Sequence, residues 1–173
     1  MLAVVSGREQ GETDAVLRAV AASLRDQGVC VAGAVQVNTD PSGEAVCDMD
    51  LQILSSGALI RISQSLGPHA RGCRLDPDGL ERAVAAVEAD LSTLSPDLVI
   101  INKFGKQETD GRGFRDVIGL ALAAGMPVIV GVSPGKRAAF EAFCGGLAVP
   151  LAADVVSVLA WVAAHIRSDT DAG

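Results

Sequence analysis

Two rhythms of apolar and polar positions alternate along this chain. Short, nearly continuous apolar runs at residues 2–6, 29–37, 98–101 and 127–132 predict buried β-strands, because a strand covered on both faces has no polar side to show. Between them the apolar residues return every three or four positions. Val16, Leu17, Val20 and Leu24 predict a helix over 15–27 that Gly28 stops. Leu80, Val84, Val87 and Leu91 predict another, opened by Asp76 and Pro77 and closed by Pro96. Helical spacing recurs at 114–124, 138–143 and 154–166. In 48–54, Met49, Leu51 and Ile53 alternate with Asp48, Asp50 and Gln52, and with 59–63 beyond the SSG turn this predicts a β-hairpin.

Strands and helices that alternate at both ends of a chain predict an α/β domain: a mostly parallel sheet, helices on both faces, and here a β-hairpin insertion. One domain over 1–168 and a frayed tail over 169–173 are expected from the 173-residue length and the polar SDTDAG ending. In such sheets ligands sit beyond the carboxyl ends of the strands, which makes the residues there the first candidates for chemistry.

Composition narrows the picture. With 49% hydrophobic but only 3% aromatic residues, the core must be built from Ala, Val, Leu and Ile. The net charge of −7 argues against a general nucleic-acid binder or an anionic-membrane binder, since both partners are polyanions. Cys30, Cys47, Cys73 and Cys144 are scattered, with no CxxC pair and no paired histidines, so neither a zinc site nor a disulfide framework is indicated. No metal site is expected. Reduced thiols and the absence of any apolar stretch of spanning length lead to the expectation of a soluble cytoplasmic protein.

The informative segment is VIINKFGKQETDGRGFRD, residues 99–116, in which an apolar run ends abruptly in Asn102 and Lys103. Together with the strand, glycine loop and helix at the amino terminus and the mid-chain hairpin, it resembles the small P-loop nucleoside-triphosphatases first described from thermophiles. In that family the strand runs into Asp-Glu and then a hydrophobic residue followed by Gly-Lys-x-Glu, with Phe and Arg a few residues on. The matching positions are Asn102, Lys103, Phe104, Gly105, Lys106, Gln107 and Glu108, then Phe114 and Arg115. The chain is more similar still, around NKFGKQE and ISQSLGPHARGCRLD, to a bacterial family known only as a domain of unknown function and associated with molybdenum uptake. The resemblance implies a P-loop-NTPase-like fold and a nucleotide or oxyanion ligand.

It also implies an altered site. A P-loop, G-x-x-x-x-G-K-[ST], cradles phosphates on backbone amides, neutralises them with its lysine and holds magnesium through its hydroxyl. That frame falls on Ser6 to Thr13, where Gly11 and Thr13 are kept, Ser6 stands for the first glycine and Glu12 for the lysine. Asn102 and Lys103 stand where the relatives carry acids. The two exchanges have opposite sign, so an ion pair between Glu12 and Lys103 that seals the former triphosphate site is expected. Gly7, Gly11, Thr13, Lys103, Lys106, Arg71 and Arg74 are the candidate phosphate- or anion-binding residues.

Each has a plainer reading. The glycine loop can be an ordinary strand-to-helix turn capped by Thr13 or Asp14, and Lys103, Lys106 and Glu108 a solvated surface. Arg71 and Arg74 can pair with Asp48, Asp50, Asp76 or Asp78. Cys47 and Cys73 read as structural, and His165, four residues after Trp161, as packing or an exposed helix face. Three functions follow: a catalytically degenerate accessory or regulatory protein that binds a small anion such as a nucleotide phosphate or molybdate; a divergent nucleoside-triphosphatase with Lys103 or Lys106 as its cation and Glu108 positioning water; or an interaction module that binds a partner or a second copy of itself.

Overall fold

Leu98, Val99, Ile100 and Ile101 are fully buried, and their side chains alternate between two separate apolar clusters. Val99 and Ile101 face one layer of helices and Leu98 and Ile100 the other, which explains why this run carries no polar position. Each such side chain contributes about 1.5–3 kcal/mol by leaving water.

The computed structural model describes residues 1–39, 48–64 and 74–166, with Thr39 and Arg74 described in their backbone only. The elements in chain order are β1 (Leu2–Val5), α1 (Glu12–Asp26), β2 (Val31–Thr39), β3 (Asp48–Ile53), β4 (Leu59–Arg61), β5 (Ser63–Gln64), β6 (Arg74–Leu75) and α2 (Pro77–Thr93). They continue as β7 (Leu98–Phe104), α3 (Lys106–Thr109), α4 (Arg115–Ala123), β8 (Val128–Val132), a 3-10 turn (Pro134–Lys136), α5 (Arg137–Cys144), β9 (Ala148–Leu151) and α6 (Val155–His165).

Seven strands form one sheet in the order β4-β3-β2-β7-β8-β1-β9. The five from β2 to β9 run parallel, and the expected hairpin, β3 and β4, extends the sheet antiparallel to β2. Helices cover both faces, as the alternating pattern predicted. Residues of α1 and α6 pack in one apolar cluster, and residues of α2, α4 and α5 in the other. Gly33 of β2 has φ 119°, and a Cβ there would meet the carbonyl of Ile100, so glycine is required where β2 lies against β7. Among the described residues no helix is long and apolar enough to cross a membrane.

Several short elements escaped the sequence pattern: the two-stranded pair of β5 and β6, the 3-10 turn, α3 and β9. β9 carries Pro150 and pairs only with β1, at the sheet margin where a missing N–H is tolerated. The single turn of α3 is held by a side chain from within the turn itself, described below.

Candidate functional site

The carboxyl ends of β1 and β7 open on the same edge of the sheet, and β8 lies between them. Proximity of the glycine loop to the end of β7 is therefore indirect, and the expected Glu12–Lys103 ion pair is not formed. Among the described residues the ion pairs are those of Arg61 with Asp48 and Asp50, and of Lys106 and Arg112 with Asp110.

Glu12 turns back into its own loop. Its Oε2 accepts from the amide of Arg8 at 2.6 Å and from the amide of Glu9 at 3.2 Å. Gly7 makes room, since a Cβ there would stand 2.6 Å from Glu12 Oε2. The carboxylate thus rests on backbone amides of the loop, as an internal anion. Thr13 is also committed locally: its hydroxyl oxygen accepts from the amide of Gly7 at 2.9 Å. Gly11, at φ 82°, is the N-cap of α1 and offers no side-chain acceptor to the first turn. Capping by Thr13 or Asp14 is therefore replaced by a glycine cap, and the first-turn amides of α1 lack a side-chain cap.

Asp14 has a different task. It falls on the buried stripe of α1 with Leu17, Ala21 and Leu24, and its Oδ1 accepts from Asn102 Nδ2 at 2.8 Å. Asn102 is fully buried, beside Gly131 of β8, where a Cβ would collide with the Asn102 side chain and approach Leu17 and Thr13. Asn102 Oδ1 has no hydrogen-bond partner among the described residues. Asn102 thus joins the end of β7 to the first turn of α1 across β8. Sequence reasoning offered Asp14 only as a cap, because it started the helix at residue 15; placed inside α1, three residues before Leu17, the same acid falls on the buried stripe.

Lys103 points elsewhere. Strand alternation sends Lys103 to the face opposite Asn102, that of Val99 and Ile101; Asn102 pairs with Gly131 and Phe104 with Val132, so Lys103 is the extra residue of a β-bulge, which brings Phe104 to that same face. It lines a cleft of about 150 Å³ whose walls include Met49, Leu51, Ile62, Leu80 and Phe114. Lys106 lines the same cleft, but its Nζ pairs with Asp110 at 2.9 Å on an exposed surface, and the hydrogen bond from Lys106 holds the Asp110 carboxyl below its ordinary range. Such a pair is weak and exchangeable.

Glu108 also borders the cleft and is 3% exposed. Its Oε2 accepts from the amide of Gly105 at 2.8 Å and its Oε1 from the amide of Phe114 at 3.0 Å. Gly113, at φ 61°, leaves the room for it. Arg115 donates to the Glu108 carbonyl at 3.2 Å and lies 4.7 Å over the ring of Phe143. These contacts, rather than helical propensity, hold α3 and fix the backbone between the two lysines. A solvated surface reading does not fit Glu108, whose two carboxylate oxygens are held by backbone amides.

The candidate set therefore divides: Gly7, Gly11 and Thr13 form the loop before α1, while Lys103 and Lys106 border the cleft. Arg71, with His69, Cys47 and Cys73, lies outside the described residues, as does the Arg74 side chain. Asp48 and Asp50 pair with Arg61 across the hairpin, and Asp76 caps α2 by accepting from the Asp78 amide at 3.1 Å. His165 stacks on Trp161 with ring centroids 4.4 Å apart, as its spacing suggested. Cys30 and Cys144 are free thiols; burial, then the Asp97 and Asp90 carboxylates, pushes the Cys30 thiol up. Among the described residues no cluster of three or more His, Cys, Asp or Glu side chains is arranged to hold a metal ion.

The parallel sheet, with its glycine loop between β1 and α1 and a strand interposed before β7, defines a P-loop-NTPase-like α/β protein. The crystal structure of THEP1 from the hyperthermophile Aquifex aeolicus has this fold, with a TM-score of 0.62 over 95% of this chain and 96% of that one, at 13% identity. The chain belongs to the family described as "Protein of unknown function (DUF2478)", which matches residues 2–161. It is also 37% identical over 163 residues to the molybdenum import ATP-binding protein ModC 2 of Bradyrhizobium diazoefficiens, a match that covers 92% of this chain and 18% of that protein.

Proposed function

We propose that this chain is a catalytically degenerate P-loop-like protein that binds a small anion, a nucleotide phosphate or an oxyanion such as molybdate, in an accessory or regulatory role. One observation carries the reading: the carboxylate of Glu12 rests on the amides of Arg8 and Glu9. A triphosphate at those amides would have to displace it, without a loop lysine to compensate. Even at a surface-like effective dielectric, like charges a few ångströms apart cost several kcal/mol. The end of β7 offers an amide already bonded to Asp14 in place of a metal-binding acid. The amides at the start of α1 and the ammonium groups of Lys103 and Lys106 remain as anion-attracting groups on this edge, with Arg71 and Arg74 as further candidates. The likeness to part of a molybdenum import protein supports molybdate as the oxyanion and an accessory role.

Melting curves of the purified protein with phosphate, molybdate, tungstate and nucleotides test the reading. A ligand that prefers the folded state raises its stability by about 2.7 kcal/mol at a hundred times its Kd. Stabilisation by an oxyanion or nucleotide is expected, with no magnesium-dependent phosphate release. Glu12→Gln is expected to tighten anion binding several-fold by removing the internal competitor. Phosphate release that requires magnesium and is abolished by Lys103→Ala would establish the divergent triphosphatase instead. A stable oligomer that no anion stabilises would favour the interaction module.

A further inference from the structure

The cleft at the end of β7 is unlike the glycine loop in chemistry. Its floor is apolar: Leu51, Ile62, Leu80 and Phe114 are each between 1% and 6% exposed and belong to the main core cluster. Met49 flanks them from β3. A void of about 150 Å³ is the size that takes one benzene ring when lined by such side chains. A cation stands at the same cleft. Lys103, which strand alternation places on the side of Val99 and Ile101, makes no ion pair among the described residues, and Lys106 is tied only by its exchangeable pair with Asp110. Among the described residues the one carboxylate in the lining, Glu108, already has both oxygens on backbone amides.

We propose that this cleft binds an aromatic anion: a single ring seated on Leu51, Ile62, Leu80 and Phe114, carrying a phosphate-like group that meets Lys103. The inference rests on the anion-binding reading for its charge and goes beyond it in placing the ligand body in an apolar pocket. An inorganic oxyanion alone leaves that apolar surface uncovered, and an uncharged ring leaves Lys103 unmatched. The two features together select a ligand with both parts.

Calorimetric titration with three probes, phenyl phosphate, inorganic phosphate and benzyl alcohol, tests this on the full chain. Phenyl phosphate is expected to bind at least about ten-fold more tightly than either half-ligand, a gap set by burial of the ring plus one charge-assisted contact. Lys103→Met is expected to lower phenyl phosphate affinity about ten-fold and leave benzyl alcohol unchanged, whereas Arg82→Met on the exposed face of α2 changes neither. Met49→Trp is expected to fill the cleft and abolish phenyl phosphate binding while inorganic phosphate still binds. Should the tryptophan variant fail to fold, Lys103→Met and the probe comparison still decide the matter. Phenyl phosphate no tighter than inorganic phosphate would overturn the proposal and leave the anion reading standing. Phenyl phosphate and benzyl alcohol bound equally, with Lys103→Met indifferent, would overturn it by showing an apolar void without anion recognition. Binding of neither phosphate would overturn the proposal, and the melting curves with molybdate and nucleotides would then decide the anion reading by themselves.

Discussion

Two loops of this protein solve the same local problem with the same group and at different depths. In the loop before α1, Glu12 accepts from the amides of Arg8 and Glu9 at a half-buried position; in the loop after β7, Glu108 accepts from the amides of Gly105 and Phe114 at 3% exposure. Each carboxylate has a glycine beside it where a Cβ would intrude, Gly7 for the first and Gly113 for the second. Depth decides what each is worth. Water can replace the Glu12 carboxylate on its amides, whereas nothing replaces Glu108, and an amide left unsatisfied in the core costs its full desolvation. The shallow carboxylate is therefore exchangeable, as a ligand-gating group must be. The deep one is a fixture that holds the backbone on which Lys103 and Lys106 stand.

The largest effect is expected from Glu108→Ala, which strands the buried Phe114 amide and the half-buried Gly105 amide and should lower unfolding stability by about 4 kcal/mol in denaturant titration. A loss no greater than that of Glu12→Ala would break the comparison. Gly113→Ala comes next, at about 2 kcal/mol, because it both strains a left-handed backbone position and drives a methyl into the Glu108 carboxylate. Restoration of that loss on a Glu108→Ala background would identify the clash as its source. Glu12→Ala should cost about 1 kcal/mol or less in the same titration. A third carboxylate on amides sharpens the lower end of the scale: Asp154 caps α6 by accepting from the Ser157 amide at 2.7 Å and the Ser157 hydroxyl at 2.8 Å, fully at the surface. Those bonds, the amide first, hold the Asp154 carboxyl below its ordinary range. Its ionised form contributes stability that is present above the ordinary aspartate pKa and is lost as pH falls through the depressed folded value. Asp154→Asn, which keeps a capping oxygen, should therefore show the smallest change at neutral pH. The difference in melting temperature from the parent should vanish in acid.

The fold was legible in the sequence because the apolar rhythms are strong: the core strands and α1, α2, α4, α5 and α6 lie where runs such as Leu98 to Ile101 or Val16 to Leu24 place them. The site was legible only in part. That Asn102 and Lys103 occupy a special strand end could be read from the break in the apolar run. Their opposite directions follow from strand alternation, but the bulge that brings Phe104 to the side of Lys103 could not be read, because it depends on the pairing of β7 with β8. The expected Glu12–Lys103 pair rested on complementary charges and on the two segments being neighbours in the expected fold. Strand order, which inserts β8 between β1 and β7 although β8 follows β7 in the chain, is a tertiary fact that charge patterning does not carry. Asn102 and Asp14 lie 88 residues apart, and only the folded sheet brings them together. The cleft was invisible because Met49, Leu51, Ile62, Leu80 and Phe114 each read as ordinary core.

Pro150 in β9 has a consequence for how copies of this protein meet. A parallel sheet grows readily at an unguarded flank, where open backbone donors and acceptors template a neighbouring chain. One flank ends in a strand that has no N–H to give at Pro150, and the other ends in β4, only three residues long with Arg61 at its close. Both flanks therefore discourage strand-by-strand fibre growth.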